Sequence, residues 1–167
     1  HVVVLAAGKG TRMKSQHPKV LHAVAGRPMI EHVLTAAAGL SPATTTIVIG
    51  HQGDAVRGAL AAHGHTEFVV QEPQLGTAHA LLTTEALLHG ERGTLVLLSG
   101  DVPALQPSTL QSLVNTHASA GAALTVLTAV VEHPRGYGRI VRDGERLARI
   151  VEEKDATDAE RTITEIN

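Results

Sequence analysis

The chain has 167 residues, of which 43% are hydrophobic and 18% charged, a composition that excludes a disordered polyelectrolyte. The formal net charge of -2 excludes an overall positive field for nucleic acid, and 1% aromatic residues leave few platforms for base stacking. The absence of cysteine excludes a disulfide framework, thiolate zinc sites and a thiol nucleophile. We therefore expect one domain, spanning residues 1–167, with no nucleic-acid partner.

Apolar runs in this sequence are short, and none approaches the roughly 20 residues that a membrane-spanning helix needs. The absence of cysteine is compatible with a reducing compartment, so we expect a cytoplasmic protein, with no signal peptide and no membrane partner. His1 stands directly before a predicted strand, and Asn167 ends the chain without a helix-stop signal. We expect both ends to be cut from something longer, with the domain truncated at its C-terminal end.

Strands and helices alternate along the chain. The apolar run Val2–Ala6 predicts a strand buried on both faces of a parallel sheet, and Pro28 begins an amphipathic helix that stops near Gly39. A hairpin is predicted around Asp143 and Gly144. Further strands are predicted at 46–49, 67–71, 94–98 and 122–131, and further helices at 55–63, 77–88 and 107–117. This order predicts an α/β fold with a doubly wound, Rossmann-like, mainly parallel sheet flanked by helices, with ligands at the carboxyl ends of its strands.

A glycine-rich, basic turn, Ala-Ala-Gly-Lys-Gly-Thr-Arg at 6–12, follows the first strand. Its two glycines let backbone N–H groups approach a nucleotide, and Lys9 and Arg12 add positive charge. A Walker loop fits badly because the order of glycine and lysine is wrong, and a dinucleotide fingerprint fits badly because Met13 replaces the third glycine. An ordinary βα turn with incidental charge is the alternative.

Two charged side chains follow at the ends of predicted strands or close to them. Lys19 lies a short loop after the first turn and can neutralise a polyphosphate, although a solvated surface lysine is the alternative. Asp101 comes directly after the most apolar strand and suits Mg²⁺, which binds through one or two carboxylates plus substrate phosphates. The alternative is that Ser99 or Asp101 caps the next turn.

A polar turn separates the strand predicted at 67–71 from the helix that follows. Gln71 and Gln74 carry both donor and acceptor groups, as reading a base edge requires, and Gly76 offers N–H groups at the start of the helix. Simple capping of that helix by Thr77 is the alternative. His79, on the helix itself, is expected to serve packing.

Four of these segments together resemble the sugar-phosphate nucleotidyltransferases. They are Leu-Ala-Ala-Gly-Lys-Gly-Thr-Arg-Met at 5–13, His-Pro-Lys-Val-Leu at 17–21, Gln-Glu-Pro-Gln-Leu-Gly-Thr-Ala-His-Ala at 71–80 and Ser-Gly-Asp-Val-Pro at 99–103. Three more, at 136–140, 150–157 and 165–167, resemble the uridylyltransferase domain of bifunctional N-acetylglucosamine-1-phosphate uridylyltransferase/glucosamine-1-phosphate acetyltransferases. The resemblance runs in order along essentially the whole chain and implies the nucleotide-diphospho-sugar transferase type of fold.

The resemblance implies Mg²⁺-dependent transfer of UMP from UTP to N-acetylglucosamine 1-phosphate, which gives UDP-N-acetylglucosamine, a cell-wall precursor, and pyrophosphate. The residues that would contact the uridine and its base are Leu5, Ala6, Ala7, Gly8, Gln71, Gln74, Gly76 and Thr77. Arg12 and Lys19 would hold the triphosphate and the leaving pyrophosphate, and Asp101 would carry Mg²⁺. The sugar would be held by Gly138, Glu152 and Asn167.

This sequence departs from the family pattern at Ser99, where many members have Tyr, and at Glu153, where His is common; neither position is expected to do chemistry. Glu152 and Glu153 are neighbours on a predicted strand, so at most one of them reaches the site, and the pattern favours Glu152. Family members supply a second metal ligand, an Asn, from a segment beyond Asn167. No hexapeptide-repeat acetyltransferase domain lies within this chain, so acetyl transfer and the family's trimer gain no support from it.

Two other functions are open on this sequence. One is a different nucleotidyltransferase of the same fold, of the cytidylyl or molybdopterin-guanylyl type, which would share the first loop and Asp101. The other is a non-catalytic nucleotide-binding module that has lost its chemistry.

Overall fold

The structure is a computed structural model that describes residues 1–8, 10, 13, 15, 17–50, 52–64 and 66–167. Within that part, the chain divides into two compact units, His1–Val114 and Asn115–Asn167. Each unit contains one four-stranded sheet.

The first unit alternates strands and helices, as the sequence predicts. In chain order it contains β1 (Val2–Ala6), a turn of 3-10 helix (Lys19–Leu21), β2 (Ala23–Val24), β3 (Arg27–Pro28), α1 (Met29–Ala38), β4 (Thr45–Ile49), α2 (Gly53–Ala59), β5 (Thr66–Val70), α3 (Thr77–Leu82), α4 (Glu85–Leu88), β6 (Val96–Ser99) and the larger part of α5 (Pro107–Ala120).

The sheet of the first unit is parallel, with the strand order β5-β4-β1-β6. Val2 of β1 pairs with Thr45 of β4 on one side and with Val96 of β6 on the other. The chain therefore builds outward from β1 in one direction and returns to its other side with β6. In such a sheet the carboxyl ends of the two strands at this reversal, β1 and β6, frame the expected ligand crevice.

Strand β1 is buried on both faces, because helices cover the sheet from both sides. Val2, Val4 and Ala6 belong to a core cluster with the apolar residues of α1. Val3, on the opposite face, packs in a second cluster with Ala80 of α3. The predicted parallel sheet flanked by helices is thus confirmed.

The helix predicted at 77–88 is interrupted by two threonines. Thr83 donates its hydroxyl to the carbonyl of Ala80 at 2.6 Å, and Thr84 donates to that of Leu81 at 2.7 Å. Such side-chain bonds to a preceding turn compete with the helix ladder, so the segment forms α3 and α4 instead of one helix.

Two further predicted elements are shorter than expected. The strand predicted at 122–131 is wrong over most of its length, since only β7 (Ala129–Val130) forms and Val130 is 78% exposed. High strand propensity acts only where the side chains are packed. The helix predicted at 55–63 ends earlier, at α2, whose last turn contains the poor helix former Gly58.

The second unit is built on an antiparallel sheet with the order β7-β10-β8-β9. Its elements after β7 are β8 (Arg139–Asp143), β9 (Arg146–Val151), α6 (Asp158–Arg161) and β10 (Glu165–Ile166). The predicted hairpin is confirmed, and Gly144 in its turn has a φ of +60°, which favours glycine. None of the helices described in either unit combines the length and apolar character that crossing a membrane requires.

Candidate functional site

The loop after β1 lies against the loops that follow β4 and β5. Gln74 donates from Nε2 to the carbonyl oxygen of Ala7 at 2.7 Å and so ties the loop after β5 to the end of β1. Gly50 stands between them: a Cβ at this position would overlap the Gln74 amide and lie 2.7 Å from the Ala7 oxygen. Only glycine fits here without moving its neighbours.

Two cavities open beside these loops. The first, of about 170 Å³, is lined by Ala6, Ala7, Gly8 and Gln74 among others. The second, of about 470 Å³, is lined by Gln71 and Gln74 among others, and both cavities share Gly50. Five of the residues predicted to contact a nucleotide therefore line these cavities: Ala6, Ala7, Gly8, Gln71 and Gln74. Leu5 lies on β1 and lines neither cavity.

The loop after β5 is held by the side chain of Gln71, which is only 4% exposed. Its backbone N–H donates to Ile49 at 2.8 Å, and its Nε2 donates to the carbonyl oxygen of Gly76 at 2.9 Å. The same Nε2 lies 3.1 Å from Nδ1 of His79. Gly76 has a φ of +98° and occupies the N-cap position of α3, so the alternative that Thr77 caps this helix is wrong.

Lys19 and Asp101 form an ion pair, with Nζ of the lysine on Oδ2 of the carboxylate. Lys19 begins the 3-10 turn, whose other two residues, Val20 and Leu21, are buried in the core and fix the position of the lysine backbone. Ser99 at the end of β6 donates its hydroxyl to the other carboxylate oxygen of Asp101 at 2.7 Å.

The carboxyl group of Asp101 is ionised at neutral pH. Burial raises its pKa, but the hydrogen bonds from Lys19 and Ser99 together with the charge of Lys19 outweigh that effect and hold the pKa below its usual range. The side chains of Lys19 and Asp101 stay 39% and 26% exposed, so both are accessible to a ligand.

Two glycines bring the first loop and the ion pair together. Gly100 donates its N–H to the carbonyl oxygen of Leu5 at 2.9 Å, and a Cβ on Gly100 would come within 3.0 Å of that oxygen. Gly10, with a φ of +56°, lies so close to Lys19 that its Cβ would stand 2.9 Å from the lysine Cβ. The first loop, Lys19 and Asp101 therefore share the crevice between the ends of β1 and β6.

The surroundings of Asp101 fit a hard divalent cation. The carboxylate is the type of oxygen ligand that Mg²⁺ prefers, and Nζ of Lys19 would have to move away from it before a cation could bind. Over the described ranges, no group of three or more His, Cys, Asp or Glu side chains is placed to hold a metal ion. Asp101 could therefore supply one oxygen ligand to a cation here. Arg12, predicted to hold the triphosphate, and Lys9, predicted to add positive charge to the first loop, lie outside the described residues.

The residues predicted to hold a sugar lie in the second unit. A Cβ on Gly138 would overlap the Asn167 amide and lie 3.3 Å from Cγ2 of Ile150, so Gly138 and Asn167 are in direct contact. Glu152 is exposed just after β9. Glu152 and Glu153 both follow the strand instead of lying on it, so the expectation that they point to opposite faces of a strand is wrong.

Glu153 has a structural partner that sequence reasoning missed. Arg139 is buried with 1% exposure, and its guanidinium donates to Glu153 at 2.6 Å, while the backbone N–H of Gly136 donates to the same carboxylate at 2.9 Å. The hydrogen bond from Gly136, followed by that from Arg139, lowers the pKa of Glu153. Strand β8 begins with Arg139, which is followed by the apolar residues Ile140 and Val141. This position could have predicted that the arginine is buried and that a carboxylate neutralises it.

The sheet order and the crevice at its reversal define an α/β protein of the nucleotide-diphospho-sugar transferase fold. Residues 2–165 match the family model of the MobA-like NTP transferase domain, and the chain belongs to that family.

Curated relatives include the bifunctional protein GlmU of Anaeromyxobacter dehalogenans, 52% identical over 169 residues. GlmU of Syntrophotalea carbinolica is 50% identical over 165 residues. Each alignment covers 99% of this chain and 35% of the relative, so the chain spans about a third of the length of these relatives.

Solved structures share the fold. UDP-glucose pyrophosphorylase, solved with UDP-glucose, superposes with a TM-score of 0.78 at 19% identity, over 99% of this chain and 72% of that one. Rv0371c from Mycobacterium tuberculosis, solved in complex with manganese, has a TM-score of 0.59 at 28% identity, over 71% of this chain and 59% of that one.

Proposed function

We propose that this chain transfers UMP from UTP to N-acetylglucosamine 1-phosphate in a Mg²⁺-dependent reaction that gives UDP-N-acetylglucosamine and pyrophosphate. The observation that carries the proposal is the Lys19–Asp101 ion pair in the crevice beside the glycine-rich first loop. Membership of a family of NTP transferase domains supports nucleotidyl transfer. The choice of UTP and of the acetylated sugar rests on the sequence resemblance described above.

The nucleotide would bind at the cavities beside the first loop. Residues 5–8 have small side chains apart from Leu5, and Ala6 and Ala7 are buried, so the backbone itself would form the wall against the uridine. Gln71 and Gly76 would meet the base, with Thr77 beside it. Gln74 would mainly hold the loop after β5 against the end of β1, because its amide N–H already donates to the Ala7 carbonyl.

The chemistry asks for positioning and neutralisation of charge rather than for a covalent intermediate. A phosphate oxygen of the sugar phosphate attacks the α-phosphorus of UTP, and a new P–O bond forms. The bond from that phosphorus to the bridging oxygen breaks, and pyrophosphate leaves with the electron pair. Because the nucleophile is already an anion, no general base is needed. Lys19 and Arg12 would neutralise the negative charge of the triphosphate and of the departing pyrophosphate.

Asp101 would hold Mg²⁺, which when bound neutralises charge on the phosphate oxygens. The Lys19–Asp101 pair would then open, which frees the lysine ammonium to bind phosphate. The manganese complex of Rv0371c supports a divalent metal in this fold. On the sugar side, Gly138 and Asn167 would provide a contact surface and exposed Glu152 a carboxylate for hydroxyl groups.

Pyrophosphate release tests the proposal. UTP, CTP, GTP and dTTP would each be offered with N-acetylglucosamine 1-phosphate or glucose 1-phosphate, with Mg²⁺ and with EDTA. We expect release with UTP and the acetylated sugar, and none after chelation. The longer GlmU of A. dehalogenans, assayed in parallel, calibrates the method. Tight UTP binding by this chain without any release would favour a non-catalytic nucleotide-binding module. Preferential release with CTP or GTP would favour another nucleotidyltransferase.

A cytoplasmic location stays a prediction.

A further inference from the structure

The side-chain amide of Gln71 has a fixed orientation in this structure. Its Nε2 lies 2.9 Å from the carbonyl oxygen of Gly76, and a backbone carbonyl can only accept a hydrogen bond. The reversed amide would place two oxygens against each other. Nε2 must therefore face Gly76.

This orientation also determines which nitrogen of the neutral His79 ring carries the proton. Nδ1 of its ring lies 3.1 Å from the same Nε2, which is a donor, so Nδ1 must accept. The neutral ring then carries its proton on Nε2. Both N–H groups of the Gln71 amide are now used, one by Gly76 and one by His79. The remaining hydrogen-bonding capacity of this amide belongs to its carbonyl oxygen, Oε1.

The position of His79 is set by the packing of α3. Its neighbour Ala80 is 4% exposed and packs with Val3 and Val48 on one face of the parallel sheet. The N–H of Ala80 donates to Gly76 at 3.0 Å, so the carbonyl that orients Gln71 also begins the helix that carries His79. The backbone that carries His79 is therefore fixed relative to the carbonyl that orients Gln71.

We infer that His79 is a positioning residue that selects the base by making Gln71 present a hydrogen-bond acceptor. The inference rests on the proposed function, in which Gln71 meets the base. Gln71 lines the larger of the two cavities, and its Oε1 would accept from a base that binds there. Uracil carries an N–H at ring position 3 that this oxygen can accept, whereas cytosine has an unprotonated nitrogen at that position, which would repel it. His79 thus does more than the packing expected from its sequence.

A pair of variants separates this role from simple packing. His79→Leu keeps an apolar side chain of comparable size but removes the acceptor, so the Gln71 amide is free to turn. His79→Asn places an amide oxygen close to where Nδ1 lies and keeps the acceptor. UTP and CTP affinities of the whole chain would be measured by titration calorimetry, and thermal unfolding would verify that each variant is folded.

We expect the ratio of UTP to CTP affinity to fall about tenfold in His79→Leu, which corresponds to the loss of one oriented hydrogen bond. His79→Asn should keep most of the selectivity of the wild type. An unchanged ratio in His79→Leu would overturn the inference, and so would an equal loss in both variants. Wild-type protein that binds UTP no better than CTP would instead overturn the proposed function, and this inference with it.

A measurement on the free protein tests the geometry without any nucleotide. Nitrogen-15 NMR of the histidine rings distinguishes the two neutral tautomers, and the signal that disappears in His79→Asn identifies His79. We expect a proton on Nε2 and none on Nδ1 at a pH where the ring is neutral. A proton on Nδ1 would overturn the inference, whatever the nucleotide affinities are.

Discussion

Lys19 and Asp101 are 82 residues apart in the chain, yet their side chains form an ion pair at the crevice between the ends of β1 and β6. Neighbouring residues fix both side chains. Val20, which follows the lysine in the 3-10 turn, is buried in the core, and the Ser99 hydroxyl donates to the carboxylate of Asp101. In the proposed reaction the two charges would separate, the cation toward phosphate and the carboxylate toward the metal. The pair would therefore provide both charges that nucleotidyl transfer needs at one place: a cation to bind phosphate and a carboxylate to bind the metal.

Asp101→Asn removes the negative charge while it keeps the shape of the side chain. We expect Mg²⁺-dependent pyrophosphate release to fall by about 100-fold or more, since the charge that a metal would bind is gone. UTP binding should remain appreciable because the walls of the cavities are unchanged. Asp143→Asn, at the exposed last residue of β8, serves as the matched control. Retained turnover in Asp101→Asn would remove the metal assignment.

Gly50→Ala tests whether the loops after β4 and β5 must stay in close contact. The new Cβ would displace the Gln74 amide from Ala7, so we expect a loss of about 1–3 kcal/mol in the free energy of unfolding. UTP affinity should also fall, because both cavities share this residue. Urea unfolding and titration calorimetry measure the two effects.

Gly58→Ala is the control for that substitution. Gly58 lies within α2, and a Cβ there would have nothing within 4 Å among the described residues. We expect Gly58→Ala to stabilise the protein by about 0.5–1 kcal/mol, since alanine is the better helix former. Equal stability of the two variants would show that Gly50 is not sterically required.

Much of the fold could be predicted from local sequence signals. The apolar run of β1, the periodicity of α1 and the turn at Gly144 each depend on neighbouring residues, and each was correctly located. The strand predicted at 122–131 failed because strand formation depends on distant partners, which the segment itself does not encode. The break between α3 and α4 likewise depends on hydrogen bonds from the hydroxyls of Thr83 and Thr84 to backbone carbonyls, and helix propensities do not include these contacts.

The candidate site was predictable in its location but not in its contacts. Sequence reasoning placed Lys19 and Asp101 at one rim of the sheet, yet their pairing depends on how two loops meet. His79 was expected to serve packing because only the structure shows its ring beside the Gln71 amide. The family pattern gives Glu153 no role in the chemistry, and only the structure shows that its carboxylate neutralises a buried arginine.

Gly138→Ala tests the proposed sugar contact in the second unit. Its Cβ would push the Asn167 amide away, so we expect KM for the sugar phosphate to rise about tenfold, as loss of one oriented hydrogen bond would produce. UTP affinity measured without the sugar should not change. Gly64→Ala is the control, because a Cβ there meets nothing within 4 Å in the described part of the chain. An unchanged KM in Gly138→Ala would remove this glycine from the sugar site.

Glu165 on β10 should contribute stability that depends on pH. The hydrogen bond from Arg142, followed by that from Thr128, lowers the pKa of Glu165 from 4.5 to about 2. A depressed folded-state pKa means that the contribution is complete above pH 4.5 and is lost as the pH falls toward about 2. Glu165→Gln should therefore unfold at lower urea concentration than wild type at pH 7, and the gap should narrow between pH 4.5 and pH 3.

Glu145→Gln is the matched control for Glu165→Gln. It removes one negative charge from the turn between β8 and β9, but its backbone carbonyl still accepts from Arg142 at 2.8 Å. We expect its unfolding midpoint to follow that of wild type across the pH series, because the bidentate contact of Arg142 with Glu165 stays intact. A gap between wild type and Glu165→Gln that stayed constant down to pH 3 would show that this ion pair does not link protonation to folding.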